Sequence, residues 1–226
     1  MDAWQALRTV FAITTVSITR KNTEEIWFMA LLYAITGNME RARLMLEARV
    51  PYLQLRFKST PLEPHYPEIT GWGAEYPETR LIINDDLDAA LAVRSWGLHL
   101  GQEDLARYPA EKLRYLPLHL GVSTHDDGEI AHALTFNPAM IGFGPIYPTA
   151  TKTLTNAPQG VQRLAVVVAG SPVPVVAIGG ITAANLGEVA GTGVGMIAMI
   201  AQLDACQDPA DVRDLMTRMS HPSDNF

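Results

Sequence analysis

The chain has 226 residues, of which 48% are hydrophobic, and this length and composition fit a single globular domain as large as a barrel. Its net charge of −7, without any run of lysine and arginine, argues against nucleic acid as a partner, and its one cysteine, Cys206, excludes an intrachain disulfide and a cysteine-based metal site. No stretch reaches the roughly 18 apolar residues of a membrane span. Asp2 stands where a signal peptide has its basic residues, so we predict a cytoplasmic protein with no membrane partner.

The first 28 residues do not share the pattern of the rest of the chain. We interpret residues 1–28 as an N-terminal extension, either a helix packed on the main domain or a tail, and residues 29–226 as the main domain.

From Leu31 onwards, short apolar runs rich in β-branched residues alternate with helix-like stretches. Eight strands are predicted, at residues 31–35, 52–57, 80–84, 97–100, 118–122, 139–143, 173–178 and 194–198. Helices are predicted at residues 39–48, 87–95, 126–136, 159–169 and 182–190, the last with Thr182 as its cap, while four prolines after the second strand leave room only for a short helix at 67–72. Eight alternating units predict an α/β fold, a (β/α)₈ TIM barrel with an N-terminal extension.

The end of the second predicted strand carries alternating polar side chains. Gln54, Arg56 and Lys58 share one face at the period of a strand, and Leu55 and Phe57 share the other. Because active sites of TIM barrels form at the carboxyl ends of the strands, we expect the polar face to line the mouth and the apolar face to pack under the helices. An amide and two cations at one place predict an anion site.

Carboxylates follow the third and fourth predicted strands. Asp85 and Asp104 are expected on neighbouring strand ends, where two carboxylates beside a diphosphate suit Mg²⁺, which prefers oxygen ligands. Taken singly, Asp86 or Asp104 also fits the role of a helix cap.

The segment 141–153 and the end of the seventh strand predict a second anion site. A buried strand leads into three hydroxyl side chains, Thr149, Thr151 and Thr153, with Lys152 among them, and hydroxyls with a lysine are donors that suit a phosphate. Gly179 and Gly180 follow the seventh strand, where glycine loops of this fold commonly hold a phosphate. Two histidines, His99 and His125, are candidates for an acid or base or for structural roles.

Six motifs in this order resemble the thiamine phosphate synthase family, in its proteobacterial type. They cover residues 54–58 (QLRFK), 83–86 (INDD), 99–105 (HLGQEDL), 121–125 (GVSTH), 142–152 (GFGPIYPTATK) and 175–181 (VVAIGGI). The resemblance implies a transferase of thiamine biosynthesis that joins a hydroxymethylpyrimidine diphosphate to a thiazole phosphate and releases pyrophosphate. It implies a dissociative mechanism in which diphosphate leaves before the thiazole nitrogen attacks.

The resemblance also implies a role for each matching residue. The catalytic residues would be Arg56, Lys58, Ser123 and Lys152. The pyrimidine diphosphate would bind Gln54, Leu55, Arg56, Phe57, Lys58, Asn84, Ser123 and Lys152. The thiazole phosphate would bind Thr149, Thr151, Gly180, Ile197 and Ala198, and the cofactor Mg²⁺ would bind Asp85 and Asp104. A homo-oligomer is compatible with the sequence.

The chain departs from the family pattern at three positions. Gly37 stands where members often have aspartate, Ser59 where they usually have an acidic residue, and Ala198 where they usually have serine. Two alternatives stay open: a sister enzyme that tautomerises the thiazole phosphate with an acid–base group such as His125, and a silent paralogue that binds phosphorylated ligands without turnover.

Overall fold

A computed structural model of the protein describes residues 30–58, 60–149 and 157–220, so the predicted extension 1–28 and the predicted site residues Thr151 and Lys152 lie outside the described residues. Eight parallel strands pair in chain order, and β8 pairs with β1 to close a barrel. The strands are β1 (Leu31–Thr36), β2 (Tyr52–Leu55), β3 (Arg80–Asn84), β4 (Gly97–Leu100), β5 (His119–Thr124), β6 (Met140–Phe143), β7 (Val175–Ile178) and β8 (Met196–Met199). The predicted TIM barrel is confirmed.

Helices connect the strands on the outside of the barrel. They are α1 (Met39–Glu47), α2 (Tyr66–Glu75), α3 (Leu87–Ala92), α4 (Gln102–Leu105), α5 (Ala110–Arg114), α6 (Asp127–Leu134), α7 (Gly160–Gly170), α8 (Leu186–Ala190), α9 (Ala201–Asp204) and α10 (Pro209–Ser220), with a 3₁₀ turn at Glu63–His65. None of the helices in the described part of the chain is long and apolar enough to cross a membrane.

The period of two along each strand divides the core into two layers. One set of side chains fills the barrel interior, with Tyr33 and Ile35 on β1 and Met196 and Ala198 on β8. The alternate set, which includes Leu53 and the remaining buried apolar residues, packs with the buried faces of the helices. Strand side chains that face the mouth therefore come mainly from the inner set, and this bears on which predicted site residues reach a ligand.

Several predicted boundaries need correction. The helix after β2 runs from Tyr66 to Glu75, longer than predicted, because Pro67 lies in its first turn, where a missing N–H costs no helical hydrogen bond. The helix after β7 begins at Leu186 and not at Thr182, whose N–H donates to Asn185 Oδ1 at 2.8 Å. The capping role suggested for Asp86 is confirmed, since its carboxylate accepts from Ala89 N–H at 2.9 Å.

An aromatic cluster closes the amino end of the barrel, opposite the mouth. Trp96 stacks on His119 with ring centroids 3.9 Å apart, and it meets Tyr52 edge-on at 5.7 Å. The guanidinium of Arg80 lies 5.0 Å from the Tyr52 centroid and 5.5 Å from that of Trp96, a range in which cation–π attraction contributes. The ligand site therefore lies at the carboxyl end of the strands.

Candidate active site

A pocket opens at the carboxyl ends of the strands, and every strand contributes to it. Its inner walls come from inward-facing residues such as Ile35, Val176 and Ala198. Its polar lining includes Gln54, Arg56, Asn84, His99, Ser123, His125, Thr149, Gly180 and Thr182. The structure thus brings together Gln54, Arg56, Asn84, Ser123, Thr149 and Gly180, as the sequence predicted.

Most side chains around the end of β2 divide as the alternation predicted. Gln54 and Arg56 line the pocket, whereas Lys58, expected with them, does not and pairs with Asp85. Leu55 is buried in the outer layer and Phe57 packs against the same layer, so the implied contact of these two side chains with the pyrimidine diphosphate is corrected. The reason is the pleat: neighbours of an inward-facing residue point outwards.

Gln54 lies deep in the pocket and has a partner that the sequence analysis did not identify. Only 2% of Gln54 is exposed, and its Nε2 donates to the hydroxyl of Tyr33 at 3.0 Å. Burial raises the pKa of Tyr33, so this phenol stays neutral. The signal for Tyr33 was its position at period two from Ile35, which places it on the inner face of β1.

Arg56 provides positive charge at the pocket. Among the described residues it forms no salt bridge, and its charge reaches the neighbouring His99, whose pKa it helps to lower. Gly37, where family members often have aspartate, packs closely against this strand, since a Cβ there would lie 2.6 Å from the Arg56 carbonyl oxygen. A guanidinium without a carboxylate partner in the described chain favours binding of an anion.

His99 and Ser123 form a buried polar pair on β4 and β5. The Nε2 of His99 lies 2.9 Å from Ser123 Oγ, and space for the ring exists because Gly121 has no Cβ, which would lie 2.6 Å from Nδ1. Burial, followed by the charge of Arg56, lowers the pKa of His99 to about 4, so the ring is neutral near pH 7. Its Nδ1 is buried without a hydrogen-bond partner in the described structure.

The missing partner at Nδ1 favours one tautomer of His99. A buried N–H without an acceptor is rarer and costlier than an unshared lone pair, so the proton is favoured on Nε2, which then donates to Ser123 Oγ. The hydroxyl proton of Ser123 is thereby directed to other acceptors in the pocket, such as the oxygens of an anion.

Two carboxylates lie beside the pocket at the ends of β3 and β4. Asp85 Oδ2 lies 2.5 Å from Lys58 Nζ, and Asp104 Oδ1 lies 2.9 Å from Arg107 Nη1. The N–H of Asp85 donates to the His99 carbonyl of β4 at 2.9 Å, and Asp104 lies in α4 directly after that strand. Asp85 and Asp104 therefore lie on the same edge of the mouth, as predicted.

This edge suits Mg²⁺ by its donor set. Carboxylate oxygens at the mouth, with room for waters and for ligand phosphate oxygens, are the ligands that Mg²⁺ prefers. In the described part of the chain no group of three or more His, Cys, Asp or Glu side chains could hold a metal by itself. Asp85 and Asp104 would thus need a phosphorylated ligand to complete the coordination, and the metal assignment stays a prediction.

The other end of the pocket is formed by the loops after β6, β7 and β8. Thr149, Gly180, Ile200 and Ala201 line it. Gly180 has φ +65, and a Cβ there would lie 2.6 Å from the Pro148 carbonyl oxygen, so glycine is required where these loops meet. The Tyr147 hydroxyl donates to Glu188 Oε2 at 2.8 Å and ties the β6 loop to α8.

Strand β8 runs one residue further than predicted, to Met199, and its register pairs Ala198 with Ile178 at the end of β7. Gly180 follows two residues later, beyond the paired residues, and Ile200 and Ala201 line the same pocket. Ile197 is buried in the outer layer, and Ala198, which is 2% exposed, lines the pocket deeper in the barrel. The Ile197 side chain therefore does not reach the pocket, and the implied contacts of this pair with the thiazole phosphate stay a prediction, with Ile200 and Ala201 as further candidates at this end.

The second histidine, His125, also lines the pocket. Its Nδ1 lies 2.7 Å from Glu129 Oε2, and its backbone N–H donates to the same oxygen at 2.8 Å. Asp126, the capping residue of α6, accepts from Glu129 N–H at 2.9 Å, so this helix start fixes the imidazole as well as the backbone.

Fold and site together define a TIM-barrel protein whose pocket at the carboxyl end of the strands suits an anionic small molecule. The chain belongs to the thiamine monophosphate synthase (TMP-TENI) family, whose model matches residues 32–203. It is 39% identical over 181 residues to the thiamine-phosphate synthase of Serratia proteamaculans (strain 568), an alignment that covers 78% of this chain and 85% of that relative. It is likewise 39% identical over 185 residues to the thiamine-phosphate synthase of Escherichia coli (strain K12). That alignment covers 80% of this chain and 87% of that relative.

A solved structure agrees with this membership. The thiamine phosphate pyrophosphorylase of Pyrococcus furiosus superposes with a TM-score of 0.70 at 28% sequence identity, covering 86% of this chain and 99% of the other.

Proposed function

We propose that this chain condenses a hydroxymethylpyrimidine diphosphate with a thiazole phosphate to give thiamine phosphate and pyrophosphate. Family membership supports the reaction, and one observation of the site carries it: the guanidinium of Arg56, without a described carboxylate partner, faces the pocket beside Ser123 and the Lys58–Asp85 pair. Cations and hydroxyls at one edge are what a diphosphate leaving group requires.

The residues divide between the two substrates by position. Arg56, Lys58, Asn84 and Ser123 would bind the diphosphate, with Lys152 from outside the described residues. Gln54 lies deeper than these and would contact the pyrimidine ring instead of the diphosphate, its amide oriented by Tyr33. The thiazole phosphate would lie at the opposite end, against Thr149, Gly180, Ile200 and Ala201.

The chemistry needs no protein nucleophile. The bond between the pyrimidine methylene carbon and the diphosphate oxygen breaks, and the diphosphate keeps the electron pair. The lone pair of the thiazole nitrogen then forms the new carbon–nitrogen bond, which leaves a thiazolium cation. Arg56, Lys58 and the Ser123 hydroxyl stabilise the negative charge that develops on the leaving group. Asp85 and Asp104 would hold Mg²⁺, which when bound neutralises part of the diphosphate charge.

A second candidate activity rests on His125. Its contact with Glu129 orients an imidazole at the pocket, and such an imidazole is able to move protons during tautomerisation of a thiazole phosphate. That activity has no use for a diphosphate edge, so the cluster of Arg56, Lys58 and Asp85 favours the condensation.

A turnover assay tests the proposal. Purified protein is incubated with both substrates and Mg²⁺, and pyrophosphate and thiamine phosphate are measured. We expect pyrophosphate release only when both substrates are present. Conversion of the thiazole phosphate alone would favour the tautomerase, and saturable binding of both substrates without any product would instead show a silent paralogue.

The position of Ala201 at the exposed rim of the pocket gives a second prediction. We expect Ala201→Ser to lower the KM for thiazole phosphate threefold to tenfold, since a hydroxyl at the exposed rim gains a charge-assisted hydrogen bond of about 1.5–3 kcal/mol, part of which is lost to ordering and displaced water. Steady-state kinetics with the pyrimidine diphosphate saturating measure this effect.

Ala198→Ser is the matched control for Ala201→Ser. Its hydroxyl would be buried in the inner apolar layer, so it should destabilise the fold by about 1–3 kcal/mol and leave that KM unimproved. A lower KM in Ala198→Ser and not in Ala201→Ser would contradict the proposed position of the phosphate at Ala201.

A further inference from the structure

The loop that contributes Gly180 to the pocket is held from outside by Asn185. This residue is half-buried and does not line the pocket. Its Nδ2 donates to the Gly180 carbonyl at 2.9 Å, and its Oδ1 accepts from Thr182 N–H at 2.8 Å. Because a backbone N–H only donates and a carbonyl only accepts, the two contacts together fix the orientation of the amide.

These two hydrogen bonds act on the most adaptable part of the pocket wall. Gly179 has φ +102 and Gly180 has φ +65, and a pair of glycines has many accessible conformations unless its surroundings select one. The bonds to Asn185 lie on both sides of Ile181, so they fix the Gly180 carbonyl and the Thr182 N–H at the centre of residues 179–183, which we call the β7 turn. At its start, the Gly179 carbonyl accepts from Tyr147 N–H at 3.0 Å. A turn that is already ordered before a ligand binds loses little further conformational entropy on binding.

Two further side chains connect the β7 turn to α9. Gln202 Oε1 accepts from Ala183 N–H at 3.1 Å, which joins the turn to α9 next to Ala201. At the far end of α9, Arg41 Nη2 donates to the carbonyls of Leu203 at 2.5 Å and Cys206 at 2.7 Å. Neither Gln202 nor Arg41 lines the pocket. The β7 turn and the start of α9 are therefore held by side chains that lie behind the pocket wall.

We propose that Asn185 is a positioning residue that sets the backbone of the β7 turn for the phosphate of the thiazole substrate, with Gln202 and Arg41 extending the same support to α9. The identity of the ligand rests on the proposed function, whereas the ordering of the turn does not. Asn185 acts through Gly180 and Thr182 and makes no contact with the ligand itself.

Kinetics of Asn185→Ala test the role. We expect its KM for thiazole phosphate to rise roughly fivefold to tenfold, while its KM for the pyrimidine diphosphate stays within about twofold of wild type, because the altered backbone contacts only one substrate. Thr192→Val is the matched control, since Thr192 Oγ1 donates to Val189 O at 2.7 Å beyond the other end of α8. It removes one hydrogen bond from the same helix and should leave both constants unchanged.

Amide hydrogen exchange provides a readout that does not depend on turnover. Exchange at residues 179–183 should be faster in Asn185→Ala than in wild type and unchanged in Thr192→Val. Unchanged exchange in Asn185→Ala, or equal KM changes for both substrates, would overturn the role of Asn185. Absence of turnover in wild type would instead overturn the proposed function and leave the exchange result standing.

Gln202→Ala is the alternative test variant if Asn185→Ala does not fold. It removes only the link to Ala183, so we expect a rise of roughly twofold to threefold in the same KM and faster exchange at Ala183. No change in either quantity would overturn the extension of the support to α9.

Discussion

Asp85→Asn is expected to lower the rate of pyrophosphate release by about 100-fold or more at Mg²⁺ concentrations that saturate the wild type, while the protein stays folded. The magnitude follows from the usual cost of removing a charge that stabilises a leaving group. Two effects act together: the edge loses one of two carboxylates for Mg²⁺, and Lys58 loses the partner that lies 2.5 Å from its Nζ. Pyrophosphate release as a function of Mg²⁺ concentration is the measurement.

Asparagine is a better replacement here than alanine because of the backbone. Asp85 has φ +64, in the left-handed region, which asparagine and aspartate adopt more readily than other residues with a side chain. Asp85→Asn therefore changes the charge and little else, whereas alanine would add strain. A loss of activity in Asp85→Asn then reports on the carboxylate.

Asp86→Asn is the matched control for Asp85→Asn. It removes the same charge one residue away, and asparagine still accepts the capping bond from Ala89 N–H that Asp86 accepts at 2.9 Å. We expect it to retain activity within about threefold, since the Asp86 carboxylate is directed to the start of α3 and not to Lys58, which pairs with Asp85. Equal losses in both variants would show that net charge at this edge matters and would remove the ground for assigning the metal to Asp85.

His99 is expected to make the stability of the fold depend on pH. Its pKa lies near 4 in the folded protein against 6.5 for the free side chain, mainly through burial. Below pH 6.5 the unfolded chain gains a proton that the folded chain does not bind, so the stabilisation is fully present above pH 6.5 and is lost as pH falls towards about 4. The difference corresponds to at most about 3 kcal/mol of unfolding free energy.

Urea unfolding at several values between pH 4.5 and 7 measures this effect in wild type and in His99→Gln. Glutamine keeps a donor towards Ser123 but does not ionise, so its curve should fall less steeply with decreasing pH. Ser123→Ala removes the hydroxyl that lies 2.9 Å from Nε2 and keeps the buried imidazole, so it should retain the slope of the wild type. Parallel curves for wild type and His99→Gln would contradict the buried neutral state of the ring.

The sequence alone determined the barrel and the inward-facing polar residues at the end of β2 to which we assign the diphosphate. Strand and helix periods are local properties, and eight alternations allow few closed arrangements, so the fold could be predicted from Leu31 onwards. The same period placed Gln54 and Arg56 inwards and Leu55 and Phe57 outwards, as the structure confirms. Resemblance added roles for these residues but assigned Leu55 and Phe57 to the ligand only because they lie within the motif.

The tertiary structure decided what depends on height along the barrel and on contacts between distant segments. The pocket lining added Ile200 and Ala201 to the candidates for the proposed phosphate contact, because the residues beyond a strand's end that reach the mouth depend on the neighbouring loops and not on the strand's own apolar run. Tyr33 meets Gln54 only once β1 and β2 pair, and Asn185 meets Gly180 only once the turn after β7 is formed. Such contacts have no periodic signal in the sequence, since each joins two side-chain or backbone groups whose spacing the fold alone defines.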